Sequence, residues 1–545
     1  MKKTILRFSA AIFALIFISL SVNAQFRPST FAITNAKIVT VSGKNIEKGT
    51  IVIRNGLIES VGENGRVPAD AVTIDGNGLT IYPGFFDANS NYGIPAPAPR
   101  QGGQGQSQTP ASNSNYPDGL QPEEMAAAKL KAGEDQFEMQ RNTGITTALT
   151  VGGDGIFNGQ SAVINLAGDS VSAMIVRAPF AEHITFTTLR GGQYPTSLMG
   201  TFSAMRQMFL DAQRLQEVQR LYAVNPRGMK RPETDASLQA LMPIINGTMP
   251  IVFNANSERE IVRALDLAKE FKLKAIIAGG LESGKLADRL KAQDIPVLLS
   301  LNFPERTAAE AKDADPETLE TLRLRVEVPK NAARLKQAGV RFAFQSDGMK
   351  NISKDFLGNA KKATENGLSK EDALRAMTLS SAEILGVDKT LGSIEEGKIA
   401  NLVVVRGDIF DKDKQFTHVF IDGKLFEQKE KPKTPTKPGT GATTGTPNIG
   451  GTYALTIEIP GQSSPGTLTL VQQTAVLSGS LQTQFGTSNI KDGQVTADGF
   501  SFSTTVEFQG QTFDIIVNGS VSGNKIEGTI TSPQGAIPFS GTKNP

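Results

Sequence analysis

The chain has no cysteine and only two histidines among 545 residues. Without cysteine there is no disulfide, no thiolate metal site, no cysteine nucleophile and no cysteine to carry a lipid after signal cleavage. Stability therefore has to come from packing. The formal net charge is only +2, which implies no particular attraction to nucleic acid or to an anionic membrane. No Gly-x-Ser-x-Gly elbow stands with a plausible histidine, and no glycine-rich phosphate loop opens a helix after a first strand. Apart from the N-terminus, no run is long and apolar enough to cross a bilayer.

What is present is a long, turn-rich chain. Its length exceeds one ordinary domain, so two or three are expected. A hydrophobic content of 39% with 20% charged residues suits a soluble globular protein, and 54 glycines with 28 prolines call for many turns. Lys2, Lys3 and Arg7 precede an apolar run from about Ala10 to Leu20 and the small-residue stretch Val22-Asn23-Ala24. This is the order of a cleavable secretory signal over residues 1–24, so the mature protein is expected in the periplasm or outside the cell.

From Phe31 to Gly62 apolar and polar residues alternate. Asn55-Gly56 stands between Ile51-Val52-Ile53 and Leu57-Ile58, a hairpin signature because both turn residues tolerate positive φ. A matching piece, Leu402 to Val405 and then Thr417 to Ile421 with the turn Asp422-Gly423, lies far downstream. Each piece is too short for a core of its own, so the two are expected to share one sheet. Between them, apolar strands at Pro250–Asn254, Ala275–Ala278, Pro296–Leu301 and Val340–Gln345 alternate with helical stretches, one of which opens on the capping box Ser257/Glu260. That spacing implies parallel βα units, in a doubly wound sheet or a closed barrel.

Residues 95–114 are rich in Pro, Gly, Gln and Ser and read as a low-complexity loop, and 429–450 as a Pro/Thr/Gly linker. Beyond it, 451–545 is a series of short alternating strands, among them Tyr453–Ile457, Phe500–Thr504 and Phe513–Val517. Turns are expected at Asp492-Gly493, Asp498-Gly499, Gln509-Gly510 and Gly523-Asn524. This is an antiparallel all-β domain, a sandwich or a small up-and-down barrel. Phe500, Phe502, Phe508 and Phe513 alternate as core residues do.

One segment says most about function: Ile81-Tyr82-Pro83-Gly84-Phe85-Phe86-Asp87-Ala88-Asn89-Ser90-Asn91-Tyr92-Gly93. It resembles the first barrel strand of the amidohydrolase superfamily, whose Asp-x-His-x-His supplies two metal ligands. A closing signature resembles the same family: Ala373 to Thr378, Ser381 to Gly386, and Leu391 to Val404, including Gly397-Lys398-Ile399-Ala400-Asn401. The likeness spans about residues 31 to 427 and is nearest the imidazolonepropionase-like and secreted dipeptidase-like branches. It implies a distorted (β/α)8 barrel over 81–388, with a composite β-sandwich built from 25–80 and 389–428, and so chooses between the two α/β arrangements.

The resemblance also implies a zinc site at the strand ends, held by histidines of the first, fifth and sixth strands and an aspartate of the eighth that shuttles the proton. Asp347 matches that aspartate. Asn89 and Asn91 stand at the two first-strand positions, expected side by side on one strand face, and Asn254 at the fifth. The sixth-strand position falls near Ala278 or Gly279. Zinc in hydrolytic sites takes imidazole, thiolate or carboxylate, so this set is not expected to hold it. Amide oxygens do suit calcium or magnesium, leaving a weak hard-cation site or a hydrogen-bonded polar network as alternatives. Asp87 is expected to order the strand end, and His183 and His418 to lie in strands away from chemistry, His183 on a polar face.

The expected function is thus an exported hydrolase-like protein for carbon–nitrogen bonds whose metal-dependent activity is lost or altered. The alternative is a non-catalytic binder of a small amide or short peptide, or a structural partner of an active homologue. A third reading places a surface- or glycan-binding role in the C-terminal domain.

Overall fold

The computed structural model describes residues 30–95, 116–133, 135–189, 193–305, 317–428, 448–459, 462–484, 486–496, 499–508, 511–532 and 535–544. The expected signal, nearly all of the low-complexity loop and most of the linker lie outside the described residues. The chain divides into two compact units, Met1–Lys431 and Pro432–Pro545.

In the first unit, the two distant sheet pieces join. Leu79–Pro83 pairs antiparallel with Leu402–Arg406, Val403 opposite Tyr82, within one eight-stranded mixed sheet. The hairpin between Ile46–Arg54 and Leu57–Gly62 turns on Asn55 (φ 51) and Gly56 (φ 85), both left-handed as a two-residue turn requires. Ile33, Ile51, Ile81, Val404 and Phe420 are wholly buried on one side of this sheet. Each contributes roughly 1.5–3 kcal/mol relative to exposure. Neither piece could bury that face alone.

Five strands then run parallel in chain order: Glu182–Thr185, Ile251–Ala255, Ala275–Gly279, Val297–Ser300 and Phe342–Gln345. Their register puts Thr185, Asn254, Ala278, Leu298 and Ala343 in one row, and His183, Val252 and Ile276 in the row below. A second sheet contains Phe85–Ser90 parallel to Ile145–Thr150. Phe86, Ala88 and Leu149 of this sheet share one buried cluster with Val252, Ile276, Leu298 and Ala343 of the other. The opposite strand faces pack under helices, as in Glu258–Phe271, which buries Ile261, Ala264, Leu265 and Phe271. That helix starts on the expected capping box, with Ser257 Oγ accepting from Glu260 N and Glu260 Oε2 accepting from Ser257 N.

Two links join these sheets. Phe157–Gln160 and Ala162–Asn165 run antiparallel to Glu182–Thr185 and Ile145–Thr150 respectively, bridged at Ser161, whose N–H donates to Ala181 O. On the other side, Ser346 N–H donates to Asp87 Oδ1 at 2.9 Å, tying the segment after Phe342–Gln345 to Phe85–Ser90.

The second unit is a closed antiparallel barrel of eight strands: Gln462–Gln473 pairs with both Gly451–Ile459 and Val476–Thr483, and Lys491–Thr496, Gly499–Phe508, Gln511–Ser522, Lys525–Ser532 and Gly535–Lys543 complete the ring. Of the two all-β arrangements expected, closure selects the barrel and leaves the short Gly486–Asn489 pairing outside the ring. Tyr453, Phe500, Phe502, Val517 and Phe539 fill it. Gly523-Asn524 is a turn as expected, but Asp492-Gly493 is not. It lies inside Lys491–Thr496 at a register shift, with Asp492 at φ 51, so a bulge uses the dipeptide that was read as a hairpin end. Asp498, Gln509-Gly510 and the side chains of Phe508 and Phe513 lie outside what is described.

Candidate functional site at the strand ends

Asn254 stands near the C-terminal end of Ile251–Ala255, and its amide NH2 is committed. It donates to Thr185 Oγ1 at 3.0 Å and, at 3.3 Å, to Asn158 Oδ1 and Ile184 O. Thr185 Oγ1 donates to Asn158 Oδ1 at 2.8 Å, and Asn158 Nδ2 to Gly155 O at 3.1 Å. Three strands are thereby laced by one chain of polar side chains. The arrangement orients Asn254 with its nitrogen inward.

Asn89 and Asn91 do not share a strand face. The pairing with Ile145–Thr150 shifts register between Asp87 and Ser90, and the strand stops at Ser90, whose hydroxyl donates to Leu149 O. The chain then turns, with Ile94 N–H returning to Asn91 O and Gly93 at φ 77, so Asn91 is exposed. Asn89 remains on the strand, partly buried.

Asp347 lies just past Phe342–Gln345 in a turn, at φ 51 and partly buried. Asn302 Nδ2 donates to its carbonyl at 3.2 Å. Among the described residues no hydrogen bond joins the side chains of Asn89, Asn91, Asn254 and Asp347 to one another, and no group of three His, Asp or Glu side chains is gathered to hold a metal.

Nor can the sixth-strand position supply a ligand. Gly279 has φ 90, and a Cβ there would collide with the Asn256 side-chain amide. Asn256 is itself pinned, its N–H donating to Glu260 Oε2 and its carbonyl accepting from Glu282 N–H. With amides at two positions, an exposed asparagine at a third and no side chain at the fourth, these residues do not fit the zinc site of the family.

The carboxylate that organises this end is Asp87. It is fully buried: Oδ1 accepts from Ser346 N at 2.9 Å, and Oδ2 from the Tyr92 hydroxyl at 2.8 Å. Burial pushes its pKa up, an effect these donors oppose. Tyr92 is raised too, first by burial and then by the neighbouring Asp87 charge. Asp87 thus orders the strand end.

His183 is fully buried, not on a polar face, because it stands in the row of Val252 and Ile276, whose face packs against Phe86, Ala88 and Leu149. Ser161 spends its hydroxyl proton on Ala181 O at 3.1 Å, so His183 Nε2–H must be the donor in the 3.0 Å contact with Ser161 Oγ. This leaves Nδ1 buried without a partner, and burial depresses the imidazole to a pKa of about 3. The pair is a neutral histidine holding a serine, the wrong proton arrangement for activating a nucleophile. Next to it, Glu182 is equally buried, with Oε1 accepting from Gly159 N–H and Oε2 unpaired. Burial raises its pKa well above the ordinary carboxylate value. His418 is partly buried in Gln415–Ile421, its Nδ1 3.0 Å from Thr417 Oγ1.

Asn158, Asn256 and Tyr92 are what sequence reading missed here. Tyr92 directly follows the opening motif and could have been found there. Asn158 sits in a strand whose four residues, Phe-Asn-Gly-Gln, carry no strand pattern.

An amidohydrolase family profile matches residues 312–426. Among solved structures, an amidohydrolase from Thermotoga maritima MSB8 is 27% identical, with 73% of this chain and all of that one covered at a TM-score of 0.60. A prolidase complexed with N-methylphosphonate-L-proline is 18% identical over 73% of this chain and all of that one, with a TM-score of 0.46. No curated protein matches by sequence. The profile falls on the closing signature and the Thermotoga structure covers 73% of the chain, so the chain is similar to amidohydrolases over most of its length, with asparagines at the three positions where the resemblance places histidines.

Proposed function

We propose that this chain is an exported binder of a small amide or short peptide, on a distorted (β/α)8 barrel with a composite β-sandwich, that has given up zinc-dependent hydrolysis. The two mixed sheets are read as one barrel, joined at Ser161 and at Asp87–Ser346. The observation that carries the proposal is the fixing of the Asn254 NH2 by Thr185, Asn158 and Ile184, which orients an amide carbonyl where the family places a ligand histidine. A side-chain amide is a natural partner for a substrate-like amide, since both donate and accept.

The test has two parts. Elemental mass spectrometry of the protein after zinc exposure and removal of free metal should show far less than one zinc per chain. Calorimetric titration with a panel of dipeptides and N-acyl amides should find a binder that is not turned over and whose affinity drops about tenfold in Asn254→Ala. Stoichiometric zinc that is lost in Asp347→Ala would overturn the proposal.

One observation favours a second reading, residual hydrolysis with Asp347 as acid or base. Its carboxylate makes no hydrogen bond among the described residues and is partly exposed beyond a strand end. Turnover abolished by Asp347→Asn with ligand binding intact would establish that reading instead.

A further inference from the structure

At the other end of the same strands, a cavity of about 590 Å³ opens beside Pro250, Ala275, Pro296 and Arg341, residues that begin or precede four of the parallel strands. Its volume falls in the roughly 300–1,000 Å³ range of small-molecule sites. The floor is apolar, with Phe180, Leu273, Ile276 and Ile295 each buried.

Charge around it is unbalanced. Two carboxylates line the cavity and both are neutralised: Asp294 by Arg341 at 3.2 Å, and Glu383 by Arg375 at 2.6 Å. Three further cations, Arg177, Lys269 and Lys274, line it without a carboxylate partner among the described residues. Arg177 is built into place. Its Nη1 donates to Leu385 O at 3.0 Å, its guanidinium lies 5.3 Å over the Phe180 ring, and Gly386 at φ 67 makes room where any side chain would strike Nη1. Arg177 and Lys269 each stand at a helix C-terminus, whose carbonyls offset part of their charge. Lys274 lies beyond its helix, next to the strand start.

We propose that this cavity binds a small organic carboxylate with an apolar body, the body on the Phe180–Ile276 floor and the carboxylate between Arg177, Lys269 and Lys274. Charge beside low-dielectric walls is felt more strongly than in open water, and a guanidinium matches a carboxylate in two-point geometry. An uncharged ligand of the same shape would use only the floor.

The experiment is calorimetric titration of the full chain at low salt with 4-phenylbutyrate and with 4-phenylbutyramide. The carboxylate should bind at least about tenfold more tightly than the amide. The double variant Lys269→Glu/Lys274→Glu changes two exposed side chains and should lose the carboxylate binding without moving the melting temperature. Thr248→Trp, from the exposed rim, should reduce binding by filling space rather than by charge. Asn254→Ala, at the opposite strand ends, should leave it unchanged, which separates this site from the amide cleft. Equal binding of both probes, no binding of the carboxylate at millimolar concentration, or carboxylate binding unaffected by the double variant would each overturn the proposal.

Discussion

The Asn256 side chain occupies the space that any side chain on Gly279 would need, so the two residues exclude a ligand at the sixth-strand position together. Gly279 also holds φ 90, where a Cβ adds backbone strain. Gly279→Ala is expected to destabilise the first unit by about 1–3 kcal/mol. Asn256→Gly added to it should recover the part due to collision and leave the part due to φ. Urea unfolding of the three proteins measures this, and a neutral Gly279→Ala would show that the strand end relaxes freely.

Tyr92→Phe removes the hydroxyl that donates to Asp87 Oδ2 and leaves a buried carboxylate oxygen unpaired. A loss of about 1–3 kcal/mol is expected. Asp87→Asn in the Tyr92→Phe background should cost less than the sum of the two single changes, because they share one interaction. Additive losses in that cycle would mean that the 2.8 Å contact contributes nothing.

For His183 the pH window follows from its depressed pKa. Between about 6.5 and about 3, the unfolded chain takes up a proton that the folded chain refuses, so stability falls as pH is lowered through that range. The slope for one such group is about 1.4 kcal/mol per pH unit. His183→Gln retains a side-chain N–H for Ser161 and does not titrate. Its stability relative to the parent should therefore rise as pH drops below 6.5. A constant difference across that range would refute a buried neutral imidazole.

Glu182 acts in the opposite sense. Its folded pKa is raised well above 4.5, so the stability of its protonated form is present below that value and lost as pH rises through the folded one. Glu182→Gln cannot ionise. Melting temperatures of variant and parent should diverge in the variant's favour as pH increases above 4.5, the reverse of the His183→Gln series. Matching slopes for the two proteins would place Glu182 in contact with water.

Local chemistry was readable in advance where a backbone requirement selects the residue. Asn55-Gly56 had to be a turn because both positions take positive φ, and Ser257 with Glu260 had to start a helix because each satisfies an otherwise unpaired N–H. The opening motif disclosed Asp87, Asn89 and Asn91 as positions, and the family resemblance Asn254, but not their geometry. Asp492-Gly493 misled because αL residues serve a bulge as readily as a turn.

The parallel βα core and the separate all-β region were determined by the sequence by itself, through periodicity and residue chemistry, and the resemblance to a known family showed no histidine at the positions it implies for metal ligands. Only the tertiary structure decided which polar groups lose water. His183 and Glu182 are buried because both faces of their strand are packed, the one in the row of Val252 and Ile276 and the other in the row of Ile251 and Ala275, and Asn254 is oriented by Asn158, nearly a hundred residues away. Desolvation and long-range hydrogen bonds depend on what packs against a residue, and a neighbour brought close by folding leaves no local pattern in the chain.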